Sequence, residues 1–244
     1  MRLDKFLSTA TDMSRKDIKQ LIKKKAVAVN GEAAARPEMQ VSESDSVTVN
    51  GESVVYREFI YFILNKPQGV VSATEDKHYP TVTELVPQEY RHFGVFPVGR
   101  LDIDTEGLLI LTNDGAFAHE VASPNKNVYK RYFARLDKPA EQSDIEKFAS
   151  GMEFKEFTAK SARLEICDNP TEVFIEIAEG KYHQVKRMFE RVGKTVVYLK
   201  RMSIGGLSLG EDMKPGDIME FSLSYNNMLY ATSRSDVPVK FIYD

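Results

Sequence analysis

The chain has 244 residues and a mass of 27.7 kDa, a length that predicts one or two domains, and its 42% apolar and 28% charged residues are typical of a globular protein. No apolar run reaches the roughly 20 residues of a membrane span, and the N-terminus lacks the apolar core of a signal peptide, so we expect no membrane partner and a cytoplasmic location. The single cysteine excludes an internal disulfide, and the four scattered histidines offer no zinc-site spacing, so we expect no metal.

Positive charge is concentrated at the N-terminus, although the net charge of the chain is −3. Residues 1–30 contain eight Lys and Arg against three Asp, a net charge of +5, which leaves −3 for residues 31–57 and −5 for residues 58–244. Phosphate contacts release counterions where cations cluster, so this segment favours a polyanionic partner. A basic helix face that contacts only solvent is the alternative.

The N-terminal segment predicts two short helices followed by small strands. Apolar residues at 3, 6 and 7 have helical spacing, and a second helix begins after the Ser14 cap and continues through apolar residues at 18, 21 and 22. Valines around Asn30-Gly31 and Asn50-Gly51 predict strands joined by tight turns. The basic residues of the second helix lie between its apolar positions, where they would project into solvent and could hold a phosphate backbone: Arg15, Lys16, Lys19 and Lys23.

Three segments at this end, R-L-D-K-F-L, S-R-K-D-I-K-Q-L-I-K and V-A-V-N-G, resemble in this order the S4 RNA-binding domain. The resemblance covers about residues 1 to 50 and implies that the module binds RNA. It assigns no reaction, because this small module occurs in many proteins that handle RNA.

A second module begins near residue 57, where longer apolar runs appear. The run FIYFILN predicts a strand that ends at Asn65-Lys66-Pro67, and the strand pattern resumes at 69–71. Farther along, a loop dense in carboxylates leads into an apolar strand at 108–111 and a turn at 113–115; its acids are Asp102, Asp104 and Glu106. A polar loop that feeds an apolar strand is a common place for catalysis. The acids could instead hold a cation, but the spacing lacks the later Gly and Glu of a calcium-binding loop.

Five motifs follow one another: YFILNKPQGVVS (61–72), PVGRLDIDTEGLLILTNDG (97–115), KRYFAR (130–135), EGKYHQVKRMFERVG (179–193) and LKRMSIGGL (199–207). This set resembles the pseudouridine synthases of the ribosomal small-subunit synthase A branch, and with the S4-like start the resemblance spans about residues 1 to 221. It implies a two-domain α+β protein. An S4-like (α-L) domain would occupy residues 1–56 and a catalytic domain residues 58–235, with a mixed, mainly antiparallel pseudouridine-synthase sheet. Residues 236–244 form a C-terminal extension of unassigned role.

The implied reaction isomerises uridine within RNA: the bond from N1 to C1′ breaks, the uracil turns, and C5 joins C1′. It needs neither a redox change nor an external group, so we expect no cofactor. The resemblance assigns the catalytic carboxylate to Asp102, which could act as a nucleophile, stabilise positive charge on the sugar, or take a proton from C2′. A loop aspartate that caps a turn is the structural alternative, and we expect Asp104 to be structural or auxiliary.

Two more residues complete the implied catalytic set. A carboxylate in a cleft that excludes water needs a nearby cation to stay ionised. The resemblance assigns this cation to Lys186, where sister families have arginine, with the adjacent Arg187 as the runner-up on what could otherwise be a solvated basic helix face. Tyr132 of KRYFAR matches the family tyrosine that stacks on the extruded base, a contact worth roughly 1 to 3 kcal/mol. An ordinary strand tyrosine is the alternative.

Other residues are expected along the path of the RNA. Arg100 resembles the arginine with which relatives enter the RNA near the vacated position, although a surface salt bridge is possible there. The remaining candidates come from the NKP motif and the later motifs: Asn65, Lys66, Tyr182, His183, Arg187, Lys200 and Arg201.

The resemblance favours 16S ribosomal RNA as the substrate, at the family's uridine-516 site. The RNA would be free or in a partly assembled small subunit, and we expect a monomeric enzyme. A large-subunit (23S) synthase of the same superfamily is one alternative. A non-catalytic RNA-binding protein of ribosome assembly is another, but such a protein needs no carboxylate facing the phosphates, so the joint presence of Asp102, Tyr132 and Lys186 argues against it.

Overall fold

The computed structural model describes residues 1–42, 44–123 and 126–222. Its chain forms two units, one of Met1–Ile60 with Val86–Val95, the other of Tyr61–Leu85 with the described residues from 96 to 222. The segment 86–95 therefore groups with the N-terminal unit, although it lies within the sequence range expected for the catalytic domain. The expected extension at 236–244 lies outside the described residues, as does the last part of the expected catalytic range. Within the described ranges, no helix is long and apolar enough to cross a membrane.

The N-terminal unit has the two helices and small strands that the sequence predicts. They are α1 (Leu3–Ala10), α2 (Arg15–Lys23), β1 (Val27–Val29), β2 (Glu32–Ala33), β3 (Val47–Val49) and β4 (Glu52–Val54). The strands form an antiparallel sheet in the order β2-β1-β3-β4. A short 3-10 helix, Gln88–Phe93, also belongs to this unit.

Local sequence explains the boundaries of these elements. The Ser14 hydroxyl caps α2 by accepting the backbone N–H of Asp17 at 3.2 Å. Asn30 and Asn50 adopt the left-handed conformation, with φ of 53° and 52°, and a glycine follows each, which gives the tight turns that match the twist of paired strands. The apolar faces of α1 and α2 pack with β1 and β3 in one core, so the basic side chains of α2 remain exposed.

The second unit is built around one sheet, to which nine described strands belong. Its strands are β5 (Tyr61–Lys66), β6 (Phe96–Pro97), β7 (Glu106–Thr112), β8 (Lys130–Leu136), β11 (Arg163–Ile166), β12 (Glu172–Ile177), β13 (Val196–Ile204), β14 (Leu207–Ser208) and β15 (Ile218–Glu220). A separate hairpin joins β9 (Met152–Glu153) and β10 (Thr158–Ala159). The helices are α3 (Gly115–Ala122), α4 (Gln142–Ser150) and α5 (Gln184–Arg191), with a 3-10 turn at Val82–Leu85.

The strand order is β11-β12-β8-β13-β7-β5-β15, and β6 and β14 pair with β7 and β13. Among the described strands only β13 and β7 pair in parallel, which confirms the expected mixed, mainly antiparallel sheet. Gly107 makes this parallel pairing possible. A Cβ at this position would lie 2.2 Å from the carbonyl oxygen of Arg201, and the glycine itself has a φ of +106°.

The structure corrects three local predictions in this unit. The strand expected at 69–71 is reduced to a single β-bridge, because the chain turns at Gly69, whose φ is +81°. Glu106 is the first residue of β7 and not part of the acidic loop. The turn expected at 113–115 is the start of α3, whose first backbone N–H groups are capped by the Asp114 carboxylate.

Side-chain alternation along β8 gives the sheet two different faces. Lys130 and Tyr132 line a cavity together with residues from the start of α5. Arg131 lies on the opposite face, where it pairs with Glu165 of β11 at 3.0 Å. The strand therefore presents chemically distinct side chains to the cavity and to the far side of the sheet.

Candidate active site

A cavity of about 120 Å³ lies in the second unit, on the face of the sheet that carries Tyr132. Its walls come from the loop before β7, from β8 and β13, and from the first turn of α5. Among its lining side chains are Arg100, Asp102, Lys130, Tyr132, Lys186 and Arg201. The structure thus brings together the three residues expected to be catalytic and three of those expected along the path of the RNA, Arg100, His183 and Arg201.

Asp102 forms an ion pair with Lys186 inside this cavity. The distance from Oδ2 to Nζ is 3.1 Å, and the two side chains are 28% and 19% exposed. Lys186 also donates to Oδ1 of Asp104 at 2.6 Å, and Nε2 of His183 lies 3.5 Å from Oδ1 of Asp102. A half-buried carboxylate therefore has an ammonium group on one side and an imidazole on the other.

The two carboxylates keep Lys186 charged. Burial alone would lower the pKa of Lys186, but its hydrogen bonds to Asp104 and Asp102 outweigh that effect and raise the pKa above its usual value. Burial likewise acts to raise the pKa of Asp104, but the Lys186 ammonium outweighs it and the pKa is lowered.

The position of Lys186 argues against the alternative that the acidic loop holds a metal ion. Because the Lys186 ammonium bridges Asp102 and Asp104, it takes the position that a cation shared by these acids would need. The third acid, Glu106, accepts the Tyr198 hydroxyl at 2.7 Å instead. In the part of the chain that the structure describes, no group of three or more His, Cys, Asp or Glu side chains is arranged to hold a metal ion.

The start of α5 places Lys186. The buried Gln184 side chain accepts the backbone N–H of Lys181 at 2.9 Å and donates to Oε1 of Glu179 at 3.1 Å. His183, which precedes the helix, has a φ of 51°, a conformation uncommon outside glycine. These contacts fix the first turn of the helix, and with it the direction of the lysine.

Contacts from the NKPQGVVS segment hold the loop that carries Asp102. They are Lys66 Nζ to the Thr105 carbonyl oxygen (3.0 Å), the Gly69 N–H to the Ile103 carbonyl oxygen (2.8 Å), and the Ser72 hydroxyl to both the carbonyl and the N–H of Leu101 (3.0 Å each). Each contact falls on the main chain beside Asp102, so the segment sets the position of the carboxylate without touching it.

Asn65 and Lys66 are fully buried, which corrects the expectation that they contact RNA. The Asn65 amide donates to the carbonyl oxygen of Met213 at 2.8 Å, and Lys66 donates to main-chain carbonyls. Burial lowers the pKa of Lys66 to about 8, while the nearby Asp104 and Asp102 act to raise it. Both residues hold backbone in place, because their side-chain N–H groups donate to carbonyl groups inside the unit.

Tyr132 lies in the middle of the sheet and is 6% exposed. Arg201 is its partner on β13, with Nη1 3.5 Å from the tyrosine hydroxyl. Lys130, two residues before Tyr132 on the same face of β8, is also buried against the cavity. Sequence reasoning placed Arg201 only along the RNA path and missed Lys130, although the alternation of KRYFAR contains the signal for it.

Two other residues predicted to contact RNA, Arg100 and Arg187, differ in their surroundings. Arg100 is exposed and lines the cavity. Arg187 forms an ion pair with Glu156, and its guanidinium lies over the rings of Phe154 and Phe157, at 5.1 and 4.9 Å from their centroids. The structure therefore pairs Lys186, and not the adjacent Arg187, with Asp102.

The basic residues of α2 form a group of their own in the N-terminal unit. All four are exposed and, with Gln20, they line a shallow groove of about 390 Å³: Arg15, Lys16, Lys19 and Lys23. The helical spacing places these four residues on one face of the helix, beside the stripe of the buried Ile18 and Ile22.

Comparisons with known proteins match both units. The model of the RNA pseudouridylate synthase family matches residues 60–191, and that of the S4 domain matches residues 1–47. The chain is 45% identical over 227 residues to the uncharacterized RNA pseudouridine synthase YtzG of Bacillus subtilis, which covers 91% of this chain and 95% of that protein. It is 38% identical over 221 residues to ribosomal small subunit pseudouridine synthase A of Escherichia coli, and the match covers 89% of this chain and 94% of that protein. A crystal structure of a pseudouridylate synthase has 36% identity and a TM-score of 0.64, covering 91% of this chain and 96% of that chain.

The mixed sheet, the cavity with its partly buried ion pair and these matches define a class of protein, an RNA-modifying isomerase with an S4 domain. The chain belongs to the RNA pseudouridylate synthase family. This confirms the family that the sequence motifs resemble.

The lowered pKa of Lys66 predicts a pH-dependent contribution to stability. Between pH 8 and 10.5 the unfolded chain binds a proton that the folded chain has released, so this residue makes the free energy of unfolding rise with pH, by up to about 1.4 kcal/mol per unit. That contribution is lost as the pH falls through 8. Urea titrations measure this effect. We expect the free energy of unfolding of the wild type, relative to that of Lys66→Met, to rise by about 3 kcal/mol between pH 8 and pH 10.5.

The exposed Lys147 provides the control, since Lys147→Met should give a difference from the wild type that does not change with pH. Parallel pH curves for the wild type and Lys66→Met would contradict the assigned burial of the Lys66 ammonium.

Proposed function

We propose that this chain converts uridine to pseudouridine in 16S ribosomal RNA, at the uridine-516 site, with Asp102 as the reacting carboxylate. The observation that carries the proposal is the Asp102 carboxylate, 3.1 Å from the Lys186 ammonium in a cavity walled by Tyr132. The 38% identity to ribosomal small subunit pseudouridine synthase A over both units supports the small-subunit substrate.

The target nucleotide must first leave its stack, because C1′ is not accessible within it. Stacking of the extruded base on Tyr132 would return roughly 1 to 3 kcal/mol of the cost. The exposed Arg100, which lines the same cavity, is suited to the RNA around the vacated position. The base would then occupy the floor of the cavity formed by the sheet, with its ribose towards the acidic loop.

The chemistry then falls to Asp102. The bond from N1 to C1′ breaks with its electron pair on the uracil, and the carboxylate opposes the positive charge left on the sugar, by attack or as a counter-ion. The uracil turns, C5 bonds to C1′, and the proton on C5 is lost while N1 gains one. Lys186 stays charged between Asp102 and Asp104, so its ammonium remains beside the carboxylate during these steps.

The N-terminal unit would supply affinity for the RNA. The groove on α2 has four exposed cations that can contact successive phosphates of free 16S RNA or of a partly assembled small subunit. We propose that the protein acts in the cytoplasm and as a monomer.

Asp102→Asn should abolish pseudouridine formation, because the amide retains the shape of the side chain but cannot oppose charge on the sugar. The measurement is pseudouridine mapping, by chemical adducts, of 16S and 23S RNA from cells that lack the protein and carry either the wild-type or the variant gene. We expect the wild type to restore one 16S site, the variant to restore none, and RNA affinity to stay within about three-fold.

The exposed Asp76, whose carboxylate caps its own loop, provides the matched control, and Asp76→Asn should restore the 16S site fully. Restoration by Asp102→Asn would show that another group performs the chemistry. A restored 23S site would identify a large-subunit enzyme, and RNA binding with no site restored by the wild type would identify a non-catalytic assembly factor.

The α2 groove makes a separate prediction about RNA affinity. Lys19→Ala combined with Lys23→Ala should flatten the dependence of log affinity on log salt concentration, by up to about two phosphate contacts, because each contact releases counterions. Fluorescence anisotropy with a 16S RNA fragment at several salt concentrations measures this slope.

Lys138 and Lys147 are exposed lysines of the second unit, and their joint substitution by alanine should leave the slope unchanged. An unchanged slope for the α2 variant would return this helix face to the role of a solvated surface.

A further inference from the structure

Arg201 and Lys130 are buried cations that line the cavity beside Tyr132. They are 3% and 8% exposed, and neither forms an ion pair with a carboxylate among the described residues. The contrast with other buried cations of this unit is clear, since Lys194 pairs with Asp144 at 2.7 Å and Arg131 pairs with Glu165 at 3.0 Å.

The hydrogen bonds of Arg201 leave part of its guanidinium unused. Nε donates to the carbonyl oxygen of Leu108 at 2.8 Å, and Nη1 lies 3.5 Å from the Tyr132 hydroxyl. Nη2 is buried and has no hydrogen-bond partner within the described ranges. The Lys130 ammonium donates to the Val128 carbonyl oxygen at 2.7 Å. Burial lowers its pKa to about 8, the Arg201 charge adds to the effect, and the charge of Glu179, which is not within ion-pair distance, acts against it.

Burying a cation without a paired carboxylate is costly, so this arrangement favours an anion that arrives with the substrate. The proposed reaction produces such an anion. When the bond from N1 to C1′ breaks, the electron pair stays on the uracil, and the negative charge is shared by N1, O2 and O4. A base stacked on Tyr132 would hold this charge beside Arg201, which pairs with Tyr132 across the sheet.

We propose that Arg201, assisted by Lys130, binds the carbonyl oxygens of the uracil and stabilises its negative charge from the moment it leaves C1′ until C5 rejoins it. This inference rests on the proposed function. The cavity then separates two tasks: Asp102 with Lys186 acts on the sugar, and Arg201 with Lys130 acts on the base. Donors placed where charge develops lower the barrier most, because they need not reorganise.

A contact with an RNA phosphate is the competing use of the same cations, and it has a different signature. A phosphate is charged before, during and after the reaction, so its loss would weaken RNA binding and leave the chemical step unchanged. Stabilisation of the departing uracil would act on the chemical step and leave the affinity of the ground state unchanged.

The experiment measures single-turnover rates at saturating RNA, with either uridine or 5-fluorouridine at the target, for the wild type and Arg201→Gln. Rates are followed as consumption of the N1-linked nucleoside. We expect the variant to lose at least about 100-fold in rate with uridine, while its Kd for RNA changes by less than about three-fold. With 5-fluorouridine the loss should shrink to about ten-fold or less, because the fluorinated base carries negative charge more readily and depends less on the cation.

Lys130→Met is a second variant, which removes the ammonium group but keeps a side chain of similar length. It should show the same pattern, with a smaller loss in rate. It decides the matter if Arg201→Gln does not fold, as judged by its thermal unfolding. Arg131→Gln is the matched control, a buried arginine on the far face of the sheet, and both rates should stay near the wild-type values.

An equal loss with both bases, or a weakened Kd with an unchanged rate, would overturn the proposed role of Arg201 while leaving the proposed function intact. A wild-type chain that consumes neither nucleoside would overturn the proposed function, and this inference with it.

Discussion

The proposed chemistry depends on the ion pair between Asp102 and Lys186. Removal from water favours the uncharged form of a carboxyl group, and a cation beside it opposes that effect. Here the ammonium lies 3.1 Å from the carboxylate and is itself kept charged by Asp104. Because this partner belongs to the folded protein, the role proposed for Asp102 would need no rearrangement of its surroundings.

Backbone constraints place this pair at the cavity. The NKPQGVVS segment contacts the main chain on both sides of Asp102, and the Lys66 ammonium gives up solvent to do so. Gly107 allows β7 and β13 to run side by side at the point where Arg201 meets Tyr132. Some motif residues therefore touch the cavity, and others act only by holding the backbone that presents them.

Local sequence was sufficient for most of the elements, because caps, asparagine-glycine turns and apolar spacing act over a few residues. The family motifs also predicted that Lys186 is the cation beside Asp102, as the structure has it. It failed for Lys66, whose partner lies 39 residues away and is set by sheet register. Strand alternation could have predicted the position of Lys130. That Arg201 has no carboxylate partner among the described residues depends on all of its neighbours, which no local pattern contains.

A structure of the protein bound to 16S RNA that carries 5-fluorouridine at the target would test the role of Asp102 most directly. We expect an extruded nucleotide with its ring on Tyr132 and its C1′ within about 3.5 Å of an Asp102 carboxylate oxygen. A target ribose bound elsewhere, with Asp102 still in contact only with the protein, would contradict it.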